Sequence, residues 1–364
     1  MIYGLINPDE SVHLFRIQKA FLGEESAFVM AQNADSSYFK YTDLFVELVE
    51  YNEDGDETNR WALDTVLIGN KETGNPDDDE IDFFGPTQRL YSTAQDKILD
   101  HTGSSITDAI DASNEYEITL KKRPSHIAIE GMTIANMDTV TPIADARIEV
   151  VDASTFKLTN PNAQNADVIA PKMTLVNTTG DLTSYVVKFN AAANCAMYEV
   201  WLRFHYREVR DNVETLKSIE WRAKTIDSDP NSLGVIQVPI TAQEIYSRIG
   251  TEIPVESGVI RKIGQADGTT EIPLLQNDGH TQDFDIFVRM GGDELFKYID
   301  INDPDFTGVL QERPIYTNIN NGLGVFSSRT QVNFLNRLYL STESYDELVG
   351  GASTSGRGFV VDPD

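Results

Sequence analysis

The chain of 364 residues has a single cysteine, Cys195, which excludes an internal disulfide framework. With no C-x-x-C anywhere, it also excludes a cysteine-rich zinc site and a dithiol redox pair. No apolar run reaches the roughly eighteen residues that a membrane-spanning helix needs. Basic residues are scarce: 29 Lys and Arg face 58 Asp and Glu, for a formal net charge of -29. A field of that sign repels phosphate backbones and anionic headgroups over a screening length of about 10 Å in 0.1 M salt. Nucleic acid and polybasic-type membrane contact are therefore not expected. The five histidines, His13, His101, His126, His205 and His280, show neither H-E-x-x-H nor H-x-H spacing, and G-x-S-x-G does not occur. Cys195 reads as a core thiol, because His205 lies too far along the same strand to act as its base. The opening "MIYGLINPDESVHLF" lacks the basic and apolar regions of a signal peptide and reads as a strand from residue 2, so any export signal is expected upstream.

What the chain does have is alternation. Apolar side chains recur with period two over Ile2 to Ile6, Val12 to Ile17, Leu44 to Val49, Tyr116 to Leu120, Arg147 to Val151, Ser184 to Phe189, Tyr198 to Tyr206 and Asp283 to Met290. That spacing puts them on one face of a pleated strand. Turn chemistry separates these runs, in "NPDE" at 7 to 10, "NEDGDETN" at 52 to 59, "GNPDDDE" at 74 to 80 and "NTTGD" at 177 to 181. Short strands so punctuated predict a mainly β chain of sandwiches, not a doubly wound α/β enzyme. In "YEVWLRFHY", Tyr198, Val200, Leu202, Phe204 and Tyr206 share the core face, while Glu199, Trp201, Arg203 and His205 share a half-wet one. With "YVVKFNAAANCAMYEV" upstream, the segment resembles the second and third strands of fibronectin type III modules.

Three short helices are expected. "TAQEIYSRIG" at 241 to 250 has Thr241 as N-cap and Glu244 three residues on, a capping box that satisfies two amides otherwise without partners. "GDELFKYI" at 292 to 299 carries acids in its first turn, where the macrodipole favours them. "SYDELVG" at 344 to 350 is the third. At this length two domains are expected. Residues 1 to 136 would be a transthyretin-like or immunoglobulin-like β-sandwich, and 137 to 364 a fibronectin-like sandwich with an α/β insertion.

"VRMGGDELFKYI" at 288 to 299 resembles the glycine turn of the diguanylate cyclases, in which two glycines admit a nucleotide and acids bind its metal ions. The surroundings reject that reading. Only residues 281 to 290 separate His280 of "NDGH" from Gly291, and they are spent on the strand "DFDIFVRM". The cyclase fold needs a helix there. The Phe-Lys and Asn-Asp elements of "FKYIDIND" also follow the glycines instead of preceding them, so the expectation is a Gly-Gly entry into an acid-capped helix. Ser37-Tyr38-Phe39-Lys40 fits S-x-x-K but has no K-T-G partner, and Gly322-x-Gly324 lacks the third glycine of a phosphate cradle. Among 58 carboxylates some pair falls at glycosidase spacing by chance, so spacing cannot argue for a glycoside hydrolase.

Calcium is the one cofactor the acidic loops suggest, since that ion takes oxygen ligands. Asp227-x-Asp229-x-Asn231 begins like an EF-hand loop, although Ser232 stands in place of the turn glycine and Val238 in place of the bidentate glutamate. These three are the candidate metal residues; Asp300-x-Asn302-x-x-Asp305 is a looser second. No catalytic residue is expected. The chain has three tryptophans, Trp61, Trp201 and Trp221. Any exposed one could stack on a sugar ring, while core packing is the commoner use.

The phrases at 2 to 39, "YEVWLRFHYRE" at 198 to 208, "EIYSRIG" at 244 to 250, and "GGDELFKYIDINDPDFTGVLQERPIYTNINNGLGVFSSR" at 291 to 329 together resemble a family of uncharacterised Bacteroidota cell-surface lipoproteins. The resemblance implies an upstream signal and lipid-bearing cysteine, tandem β-rich domains at the outer-membrane surface or periplasm, and no catalytic residues to carry over. The expected function is thus a non-enzymatic binding, adhesive or structural protein of the bacterial envelope. Its expected partner is an extracellular glycan or an envelope protein, and the alternative is a carbohydrate-binding accessory to a glycan-uptake system.

Overall fold

The computed structural model describes residues 1–19, 30, 33–40, 42–69, 87–93, 110–123, 137, 140–159, 172–231, 234–264, 283–302 and 315–361. The fold is mainly β, as the alternation predicts. Contacts divide the chain into two compact units that are not consecutive in sequence. The first takes Met1–Asp152, Asn194–Ala196 and Gly291–Thr330; the second takes Ala153–Ala193, Met197–Met290 and Gln331–Asp364. This differs from the expected division at 136/137. The strand Pro142–Glu149 stays in the first unit because it pairs along its length with Glu115–Lys122, and a later segment returns to the same core.

The first unit is a sandwich of two sheets. One sheet contains β1 (Ile2–Ile6) and β2 (Leu14–Ile17); the other contains β3 (Leu44–Tyr51) and β4 (Glu57–Ala62). β5 (Asp64–Ile68) and β6 (Gln88–Ser92) extend the first, and β7 (Glu115–Lys122) and β8 (Pro142–Glu149) extend the second in the order β4-β3-β7-β8. β1 also pairs in parallel with the start of the long strand Gly324–Leu340, in the register Ile2↔Gly324 to Ile6↔Ser328. The apolar faces of both sheets meet in one core that includes Ile6, Phe15, Leu48, Ile118, Ile148 and Phe326. Trp61 is in this core, 8% exposed and stacked on Tyr116 with ring centroids 6.2 Å apart. The short helix α1 (Ala34–Ser37) is capped by Asn33.

The second unit holds two small pairings, β9 (Leu158–Thr159) with a later strand and β10 (Lys172–Met173) with the far end of Gly324–Leu340. Its main strands are β11 (Ser184–Asn190), β12 (Met197–Arg210), β13 (Val213–Asp227) and β14 (Val235–Thr241), which leads directly into α2 (Ala242–Glu252). β15 (Ile260–Ile263) and β16 (Phe284–Gly291) flank β12, and β11 lies between β9 and β14. α3 (Asp293–Asn302) belongs to the first unit. β17 (Gly324–Leu340) ends in the second, followed by α4 (Thr342–Gly350) and β18 (Phe359–Val361). The three longer helices overlap the three segments expected to be helical, and the capping box of Thr241 and Glu244 is formed.

Aromatic packing organises this second core. Phe189 lies 5.1 Å from both Phe156 and Tyr198, and Phe204 lies 5.0 Å from Phe284. Asp283 ties three elements together: its carboxylate accepts Gly264 N–H at 3.1 Å, Leu340 N–H at 3.0 Å and the Tyr345 hydroxyl. Burial pushes this carboxyl above its ordinary value, against the pull of those donors.

The same five-residue turn appears once in each unit. In N-E-D-G-D and N-T-T-G-D, the asparagine Oδ1 accepts the N–H groups two and four residues on, at 2.8 to 3.1 Å. The glycine takes φ +81° or +85°, which suits a residue without Cβ, and so closes a hairpin.

Candidate functional site

Some sequence candidates resolve as structure. Gly291 ends β16 and Gly292 enters α3, so the glycine pair lies between a strand and a helix and not on a hairpin. A Cβ at Gly292 would crowd the Ser327 and Ser328 hydroxyls at 3.1 Å. Ser327 Oγ accepts Leu295 N–H at 3.1 Å and donates to Glu294 at 3.3 Å, and burial raises the Glu294 carboxyl. Close packing at the start of a helix accounts for the motif.

The candidate calcium residues follow one another out of a strand into a turn. Asp227 is the last residue of β13, and Asp229 Oδ1 is used on Asn231 N–H at 3.0 Å, an Asx turn. Among the described residues no three His, Cys, Asp or Glu side chains come together as a metal site. Asp300 and Asn302 lie on α3, and Asp305 is outside the described residues. Of the histidines, His13 and His205 are buried, while His101, His126 and His280 are outside the described residues. Cys195 is buried.

A different constellation lies within the second unit, where β13 passes α2. β12 and β13 form a hairpin closed by Asp211 and Asn212, with φ +50° and +64°, the pair of left-handed residues a two-residue turn with the twist of β-strands requires. Down the hairpin, Val200 pairs with Lys224 but Trp201 pairs with Arg222, which leaves Ala223 as an extra residue. Such a bulge sharpens the local twist and redirects side chains. On the other side, α2 buries Ala242, Ile245, Tyr246 and Ile249. The stripe Glu244, Ser247, Arg248 and Thr251, spaced i, i+3, i+4, i+7, then faces away from the core.

Between them opens a cleft of about 650 Å³, lined by that stripe, by Ile240, and by Trp201 and residues 220–223. Of the three tryptophans, Trp61 and Trp221 are buried, and Trp201 is half-buried. Arg289 stacks on the Trp201 ring, its guanidinium carbon 4.0 Å from the centroid, and the indole N–H donates to Glu199 at 3.0 Å. One face of the ring is therefore taken by a cation.

The charges of the cleft are held in pairs. Glu220 accepts from Arg203 at 2.6 Å and from Arg289 at 3.1 Å; Arg222 donates to Glu199 at 2.8 Å; Arg248 meets Glu252 at 3.0 Å. Glu244 does two jobs. Its Oε2 accepts Thr241 N–H at 2.9 Å in the capping box, and its Oε1 meets Lys224 Nζ at 2.5 Å. The hydrogen bond from Lys224, followed by that from the Thr241 amide, holds its carboxyl below the ordinary value. A glycosidase acid needs the opposite shift, upward, to hold a proton at neutral pH. The cleft sets an amphipathic ring, ionised groups and the hydroxyls of Ser247 and Thr251 around an open hollow.

The sequence showed the half-wet face of Tyr198 to Tyr206 and the capping box, yet not that β12, β13 and α2 meet. No family model matches the chain, and no curated protein does.

Proposed function

We propose that this chain is a non-enzymatic binding protein of the bacterial envelope whose cleft between β13 and α2 takes an extracellular glycan. The observation that carries the reading is Trp201, a half-exposed indole in an open cleft rimmed by fixed hydrogen-bonding groups. Sugars present just such a pairing of surfaces, with apolar C–H faces that stack on aromatic rings and equatorial hydroxyls that bond to carboxylates, guanidinium groups and hydroxyls. The lowered carboxyl of Glu244 supports binding over hydrolysis. The envelope setting rests on the sequence likeness to surface lipoproteins, and two of the phrases that carry it, at 198 to 208 and 244 to 250, supply Trp201, Glu244, Ser247 and Arg248. Among the described residues no helix is long and apolar enough to cross a membrane.

A titration of intrinsic fluorescence tests the reading. Trp201 and Trp221 both line the cleft, so a sugar there would change the intrinsic emission, and Trp201→Ala separates the half-exposed ring from the buried one. Saturable change with one class among plant, algal and host oligosaccharides, lost in Trp201→Ala with the fold intact by circular dichroism, is the expected result. Undiminished binding by Trp201→Ala, or no binding across the panel, would overturn it.

One observation favours an adhesive or structural role instead. Among the described residues β13 pairs only with β12, and Val213 to Ser218 are exposed, so an edge is available to a partner strand. The charges of Glu214, Lys217, Glu220, Arg222 and Lys224 along that strand are what natural edges use to discourage such pairing, which is why glycan binding ranks first.

A further inference from the structure

We infer that the cleft selects acidic saccharides, those carrying a carboxylate or a sulfate, over neutral ones; the inference rests on the glycan-binding reading. The argument starts from charge. Over the whole chain acids outnumber bases 58 to 29. The cleft does not share that acidic excess. Its lining charges are Glu220, Arg222, Glu244 and Arg248, and their direct ion-pair partners are Glu199, Arg203, Lys224, Glu252 and Arg289. Five bases there stand against four acids. An anionic ligand repelled by the net charge of the chain meets near-balanced charges at this cleft.

Donor geometry points the same way. Arg222 and Arg248 are 55% and 47% exposed, and each uses one terminal nitrogen in its ion pair, with Glu199 and Glu252. A guanidinium carries five N–H donors in a planar fork that matches carboxylate and sulfate oxygens. The carboxylates of the site are committed elsewhere: Glu220 is held by two arginines, and Glu244 by the helix cap and Lys224. The donors left over are cationic, and the ring of Trp201 supplies the surface for the sugar carrying the anion.

The experiment compares ligands that differ only in charge: oligogalacturonates against their fully methyl-esterified forms, and sulfated galactan oligosaccharides against desulfated ones, each titrated calorimetrically at low and high salt. The expected result is binding on the order of tenfold tighter for an acidic member than for its neutral partner. That preference should shrink as sodium chloride rises and vanish in Arg222→Gln and Arg248→Gln, whose exposed positions leave the melting temperature unchanged. The carboxylate and sulfate arms tell the two anions apart. Equal affinity for charged and neutral partners, with both lost in Trp201→Ala, overturns the acidic preference and leaves the glycan reading standing. No binding by any of the four overturns both.

Discussion

Replacing Glu244 tests whether one side chain both starts a helix and shapes the cleft. Alanine there removes the acceptor of the Thr241 N–H and hydroxyl, each at 2.9 Å, and the partner of Lys224. It leaves the reciprocal bond from the residue-244 N–H to Thr241 Oγ1, at 3.2 Å in the native chain. Cap interactions are worth about 1 kcal/mol. The ion pair, with Lys224 and Glu244 36% and 47% exposed, adds only a few tenths, roughly 0.3 kcal/mol. Glu244→Ala should therefore cost about 1 to 1.5 kcal/mol and lower the melting temperature by roughly 2 to 6 °C. Glu244→Gln keeps an oxygen for Thr241 and loses only the charge, so its cost should stay under about 0.5 kcal/mol. The sign of the pH effect follows from the carboxyl being lower when folded than its ordinary 4.5. Its contribution is complete above that value and is lost as pH falls through the folded one. The gap between wild type and Glu244→Ala, followed by urea unfolding, should hold from pH 8 to pH 5 and narrow below about pH 4.5. Equal losses for Gln and Ala would show that charge carries the effect, and the capping argument would fail.

Three further outcomes follow from the packing. Trp61→Ala should cost about 3 to 5 kcal/mol, because it empties a buried site stacked on Tyr116, and urea unfolding would show it. Gly250→Ala should lower the melting temperature of the folded protein, because a Cβ there would overlap the Ser353 carbonyl oxygen; an unchanged melting temperature would contradict that contact. Burial lowers the ionisation of His13, whose Nδ1 accepts Asn7 N–H at 3.4 Å. Its neutral form is therefore the stable one, and the contribution present above the ordinary 6.5 is lost as pH falls through the folded value. His13→Asn, which keeps an acceptor, should flatten the decline in stability below pH 6.5 in denaturant titrations.

The alternation in Tyr198 to Tyr206 was legible because one face is core and the other is not: Tyr198, Val200, Leu202 and Phe204 are 0% exposed, and Trp201 and Arg203 are half-buried. His205 is the exception on the outer face, buried against Asp285 at 2.7 Å. The partner strand β13 gave no such signal, because Val213 to Ser218 are all exposed and an edge strand with two wet faces has no apolar period to read. Thr241 and Glu244 announced α2, since capping is local chemistry. The cleft depends on Ala223, the extra residue of a bulge, and on the meeting of residues 201, 222 and 248, which only the fold brings together. The division of the chain was equally hidden, because nothing in the composition of 291 to 330 marks it as belonging with the first 152 residues.

That division bears on synthesis. A ribosome finishing β8 has released most of the first unit, yet the strand that pairs with β1 from Gly324 onward has not been made. At about 5 to 20 residues per second, the edge of β1 waits roughly 10 to 40 s for its partner. During that interval the apolar positions Ile2 and Ile6 need shelter, from a chaperone or from an unfolded state kept until the chain is released. Neither unit can be cut out as one continuous fragment, so truncations made at residue 136 or 152 should yield aggregate instead of half a protein.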